Sequence, residues 1–123
     1  MGQRILIVDD QKGVRRLLEE LFNREGWQVF TAADGKEAIN KVEECLPDII
    51  LMDMKMPKMN GLESSKAILQ NHPDMIILMM TAYGEVDVIN GAMDAGVKKC
   101  INKPFDIIVL KDMVNQLVMD NIS

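Results

Sequence analysis

Four residues are placed to do chemistry together: Asp9, Asp10, Asp53 and Lys103. Asp53 follows the apolar run Ile49-Ile50-Leu51-Met52, and Asp9-Asp10 follow Ile5-Leu6-Ile7-Val8. Such runs read as strands buried on both faces. A carboxylate at the end of a buried strand is costly unless something pairs with it. Lys103 follows a third short apolar segment. Three acids and one lysine at strand ends point to one site for a divalent cation and a phosphoryl group. Crowded acids repel one another, and Mg2+ relieves that repulsion, since it prefers carboxylates, a carbonyl and waters.

The elements that must position these residues alternate along the chain. Strands are expected at Arg4–Val8, Trp27–Ala32, Asp48–Met52, Met75–Met80 and Lys99–Asn102. Between them, Val14, Leu17, Leu18, Leu21 and Phe22 form one helical apolar stripe, and Ala38, Ile39 and Val42 another. Asn60 caps a third helix that closes at His72-Pro73. Glu85 to Ala95 is a fourth, ended by Gly96. Asp106 caps a fifth, bearing Ile107, Leu110, Val114, Leu117 and Val118. Regular alternation predicts a parallel sheet with helices on both faces. Ligands in such sheets bind at the carboxyl ends of the strands, beside the switch point. Asp9, Asp10, Asp53, Thr81 and Lys103 all fall there.

Each residue also has a plainer use. Asp9-Asp10 caps a helix, Asp53 starts a turn, Thr81 ends a strand, and Lys103 is a surface charge. The plain readings weaken when all five converge on one sheet edge.

The chain has 123 residues, 48% of them hydrophobic, which suits one domain (residues 1–123) and excludes disorder. A net charge of −5 with no basic stripe argues against direct nucleic-acid binding. No apolar run approaches the roughly 20 residues that span a bilayer. The N-terminus lacks a signal-peptide plan. The two cysteines, Cys45 and Cys100, have no pairing or metal-type spacing, which suits a cytoplasmic setting. The single histidine, His72, reads as a solvated surface residue, and the eleven methionines as core filler.

Ile7-Val8-Asp9-Asp10, the stretch Leu51 to Gly61, Met80-Thr81-Ala82-Tyr83-Gly84 and Lys103-Pro104-Phe105 together resemble the receiver domains of two-component response regulators. Their order and spacing span essentially the whole chain. Asp10-Gln11, Thr81-Ala82-Tyr83-Gly84-Glu85 and Lys103-Pro104-Phe105-Asp106 look most like the stand-alone sporulation phosphorelay type. The resemblance implies an α/β, flavodoxin-like (CheY-like) doubly wound sheet of five parallel strands, order 2-1-3-4-5, with five helices.

The resemblance also implies roles. Asp53 is the phosphoacceptor, attacking the phosphorus of a partner's phosphohistidine. Asp10, Asp53 and the backbone carbonyl of Lys55 hold Mg2+, for which Mn2+ can substitute, and Asp9 acts largely through a bound water. Lys103 and the Thr81 hydroxyl bind phosphoryl oxygens. The Lys103-Pro104 peptide is cis, a geometry rarely found except before proline. Lys55 and Tyr83 flank the path of the hydrolytic water and slow loss of the phosphoryl group. Cys100 stands where such domains usually carry an aromatic switch residue, so the usual threonine–aromatic coupling is not expected.

The implied partners are a sensor histidine kinase and a histidine phosphotransferase, with Gln11, Val14, Leu17, Pro104 and Phe105 as the docking surface. A monomer that accepts a phosphoryl group and passes it on is expected. Competing readings are a receiver cut from a longer transcriptional regulator, and an aspartyl-phosphate phosphatase. The phosphatase would want a second acid two residues after the nucleophile, where Lys55 stands.

Overall fold

The apolar runs become the interior of one parallel sheet. The computed structural model describes residues 3–82 and 85–122. In chain order these form β1 (Arg4–Val8), α1 (Lys12–Arg24), β2 (Gln28–Ala32), α2 (Gly35–Cys45), β3 (Ile49–Asp53), α3 (Gly61–Asn71), β4 (Ile76–Ala82), α4 (Val86–Ala95), β5 (Lys99–Lys103) and α5 (Ile107–Ile122). The sheet order is β2-β1-β3-β4-β5, all parallel, as expected.

Alternation along each strand divides the core in two. Ile5, Ile7, Ile49, Leu51, Leu78 and Met80 face α1 and α5, where Leu18, Phe22, Leu110 and Val114 cover them. Leu6, Val8, Ile50, Met52, Ile77 and Met79 face α2, α3 and α4, against Ala38, Val42, Ile68 and Ala92. Strands covered on both faces have no polar face, which is why β3 and β4 read as unbroken apolar runs.

Several boundaries differ from the sequence reading. β3 runs on through Asp53, which pairs with Met80. β4 continues through Thr81 and Ala82, because their partners Asn102 and Lys103 extend the ladder with β5. Trp27 lies before β2, its ring edge-on to Phe22 at 6.0 Å. Leu17 is 50% exposed and leaves the α1 stripe, and Ile107 also lies largely outside the core. His72 is not freely solvated: its Nε2 lies 2.8 Å from Glu43 Oε1, tying the end of α3 to α2.

Local chemistry explains the helix ends. Asn60 Oδ1 accepts from the Glu63 amide, and the Glu63 carboxylate accepts from the Asn60 amide, a reciprocal cap on α3. Asp34 caps α2 through the Glu37 amide. Gly96, at φ 108°, ends α4 in a conformation that costs glycine little. Gly61 is required for a different reason. Its amide donates to the Met54 carbonyl at 2.8 Å, and a Cβ there would collide with the backbone of Asp53 and Met54.

Gly61→Ala is therefore expected to destabilise the fold by roughly 2 kcal/mol or more, because backbone must move to admit the methyl. Gly13→Ala, with open space around the added carbon, should stabilise α1 by about 0.4–1 kcal/mol. Urea unfolding of the two variants checks the contrast.

Candidate functional site: a carboxylate cluster at the sheet edge

β1 and β3 are neighbours, yet the chain leaves β1 toward the α1 face and β3 toward the α3 face. That divergence opens a crevice at their carboxyl ends. A cleft of about 560 Å³ lies there, its lining including Asp10, Asp53, Lys55, Met80 and Lys103.

Asp9 is fully buried and engaged at every polar atom. Its amide donates to the Ala32 carbonyl, prolonging the β1–β2 ladder. Oδ1 accepts from the Gln11 amide at 2.9 Å, Oδ2 from Lys103 Nζ at 2.8 Å, and its carbonyl from Arg15 Nη1 at 2.7 Å. Asp53 is 5% exposed, and its Oδ1 lies 3.3 Å from Lys103 Nζ. Asp10 points into solvent. One carboxylate oxygen from each of Asp9, Asp10 and Asp53 lies within 4.8 Å of the others.

Three acids against one lysine leave the cluster short of positive charge. Burial, and then the neighbouring charge of Asp9, push the Asp53 carboxyl from its ordinary 3.8 up to about 6, although Lys103 pulls the other way. For Lys103, burial favours the neutral form. Its contacts with Asp9 and Asp53 outweigh burial and hold the ammonium above its usual value. A set of hard oxygen donors with surplus negative charge fits a small divalent cation. Asp10, Asp53 and Asp9 are the residues that would hold it.

Thr81 stands at the same edge with its hydroxyl turned away. Its side chain shares the alternation of Met79 and faces the α2–α4 side, whereas Asp53 and Lys103 alternate with Leu51 and Ile101. The hydroxyl donates to Asn102 Oδ1 at 3.3 Å. Lys55 is exposed at the cleft. Tyr83 lies outside the described residues. Cys100 is half-buried against the α2–α4 core. Burial pushes the thiols of Cys45 and Cys100 upward, which makes both weak nucleophiles at neutral pH. Both thiols are free. The Lys103-Pro104 peptide is cis.

Gln11, Val14, Leu17, Pro104 and Phe105 surround one shallow groove of about 380 Å³ beside Lys103. Leu17 and Pro104 are exposed there, while Val14 and Phe105 are half-buried and packed on the core. Sequence reasoning missed Arg15 and Asn102. A polar residue between Ile101 and Lys103 in a short strand was the signal for Asn102. Nothing comparable marks Arg15.

The model of the response regulator receiver domain matches residues 5–115. The chain belongs to that family. This receiver is 44% identical over 116 residues to the sporulation initiation phosphotransferase F of Bacillus subtilis (strain 168), covering 94% of each chain. The CheY-like receiver domain protein of Methanospirillum hungatei JF-1 superposes with a TM-score of 0.94 at 27% identity, covering 98% of this chain and 97% of that one. CheY in the CheX–CheY–BeF3–Mg2+ complex of Borrelia burgdorferi matches with a TM-score of 0.88 at 30% identity, covering 94% and 88%. Among the described residues of this receiver, no helix is long and apolar enough to cross a membrane.

The raised Asp53 pKa has a sign. The fold prefers the protonated acid, so this contribution to stability is present below about pH 4 and is lost as pH rises through about 6. Without divalent cation, Asp53→Asn should therefore stabilise the receiver at pH 7 by roughly 1–3 kcal/mol. The gain should disappear near pH 4. Thermal unfolding of both proteins across that range, in chelator, is the check.

Proposed function

We propose that Asp53 accepts a phosphoryl group from a partner's phosphohistidine in a Mg2+-dependent reaction. One observation carries the proposal. Three carboxylates from two βα turns converge within 4.8 Å, and Lys103 Nζ stands within reach of two of them. Phosphoryl transfer needs alignment and charge neutralisation more than covalent help.

The chain's own residues divide the work. Asp53 supplies the nucleophilic oxygen, which forms a bond to phosphorus as the bond from phosphorus to the imidazole nitrogen breaks. The released nitrogen takes a proton from solvent, leaving histidine and an acyl phosphate. Lys103 turns its ammonium from Asp53 toward the new phosphoryl oxygens, keeping Asp9 as its anchor. Asp10, Asp53 and the backbone carbonyl of Lys55 would hold Mg2+, with Asp9 acting largely through a bound water. Bound there, Mg2+ neutralises charge on the carboxylates and the phosphoryl oxygens together. The Borrelia burgdorferi CheY, solved with BeF3 and Mg2+, supports this reading.

The groove of Gln11, Val14, Leu17, Pro104 and Phe105 is the docking surface for a helix that carries the histidine. An apolar patch beside a charged site suits recognition of an amphipathic helix. The likeness to a sporulation phosphotransferase supports a relay role, with a sensor histidine kinase as donor and a histidine phosphotransferase as acceptor.

Incubation with a small phosphodonor and Mg2+ should add one phosphoryl mass, absent in Asp53→Asn and in chelator. Lys103→Ala should slow the reaction by roughly two orders of magnitude. Leu17→Glu should slow transfer from a phosphohistidine protein while leaving the small-donor rate unchanged. Equal slowing with both donors would remove the groove from the proposal. Lys55→Ala should shorten the acyl-phosphate lifetime, followed by loss of the phosphoryl mass with time.

A further inference from the structure

Thr81 and Asn102 are direct partners in the β4–β5 register, so their side chains project from the same face of the sheet. That face belongs to α2–α4, opposite to the alternation of Asp53 and Lys103. Thr81 is 1% exposed, and its hydroxyl donates to Oδ1 of Asn102. Asn102 itself is exposed, on the edge strand. A buried hydroxyl keeps a partner because an unmet donor is costly. Thr81 therefore cannot serve the Asp53 side of the edge while it serves Asn102.

We infer that Asn102 is a positioning residue that holds the Thr81 hydroxyl off the phosphoryl site at rest and releases it when a phosphoryl group on Asp53 offers a charged acceptor. The exchange replaces a neutral hydrogen bond with a charge-assisted one, which is the stronger kind. Cys100 lies on the same face two residues earlier and is too small to make the change by moving bulk. The exchange leaves the Asn102 carboxamide unpartnered on an exposed strand, so the event at Asp53 alters the outer surface of β5. The inference rests on Asp53 being the phosphoacceptor.

Beryllofluoride with Mg2+ is the probe, as a phosphoryl mimic, with affinity measured by calorimetry. Asn102→Ala should bind it about three- to tenfold more tightly, since the competing bond is gone. In a Thr81→Val background the same substitution should leave affinity unchanged. In the wild-type protein the side-chain amide resonances of Asn102 should shift on binding. Asn102→Ala should unfold in a single cooperative transition with a somewhat lower midpoint, as loss of the partner of a buried hydroxyl requires. Equal affinity for wild type and Asn102→Ala, or the same gain in the Thr81→Val background, overturns the role of Asn102 alone. Failure of the wild-type protein to bind beryllofluoride overturns the reading of Asp53 as well.

Discussion

Carboxylates held closer than their charges favour are the constraint around which this receiver is built. Asp9 and Asp53 sit at the ends of adjacent interior strands, so β1–β3 pairing forces them together. Lys103 offsets part of the repulsion by bridging both. The remainder is visible in Asp53, whose carboxyl is held above its ordinary range by burial and by Asp9. A site in that condition gains from any added positive charge. The strain that makes the resting domain less stable is thus what makes it receptive to a cation and, after that, to an anionic group.

Holding such a cluster takes a scaffold that cannot relax. Asp9 is fastened through its amide, its carbonyl and both carboxylate oxygens. Asp53 is fastened through its backbone, with Gly61 packed against its carbonyl and the Gly61 amide bonded to Met54. The reciprocal Asn60–Glu63 cap then starts α3 directly behind that turn. Asp10, by contrast, is left free to adjust toward a ligand.

Much of this was legible in the residues. The runs ending at Asp9 and Asp53 identified both interior strands, because burial on two faces leaves only apolar residues to choose from. The convergence of Asp9, Asp10, Asp53 and Lys103 followed from parallel alternation. What stayed hidden depends on register. The fourth strand read as ending at Met80, whereas pairing with Asn102 and Lys103 draws Thr81 and Ala82 into β4. The direction of the Thr81 hydroxyl is a consequence of that pairing, and no local pattern encodes it. Leu17 was read both as part of the α1 stripe and as part of the docking surface; five apolar residues on one stripe exceed what the α1 contact covers, and the surplus residue lines the groove.

The sheet order has a mechanical corollary. Asp9 and Asp53 stand on strands flanked on both sides, whereas Lys103 stands on β5, which has a neighbour on one side only. Edge strands open more readily than interior ones. The site thus has a stiff anionic jaw and a compliant cationic one. Fraying of a single ladder can withdraw the ammonium, while the acids keep their spacing for whatever arrives next.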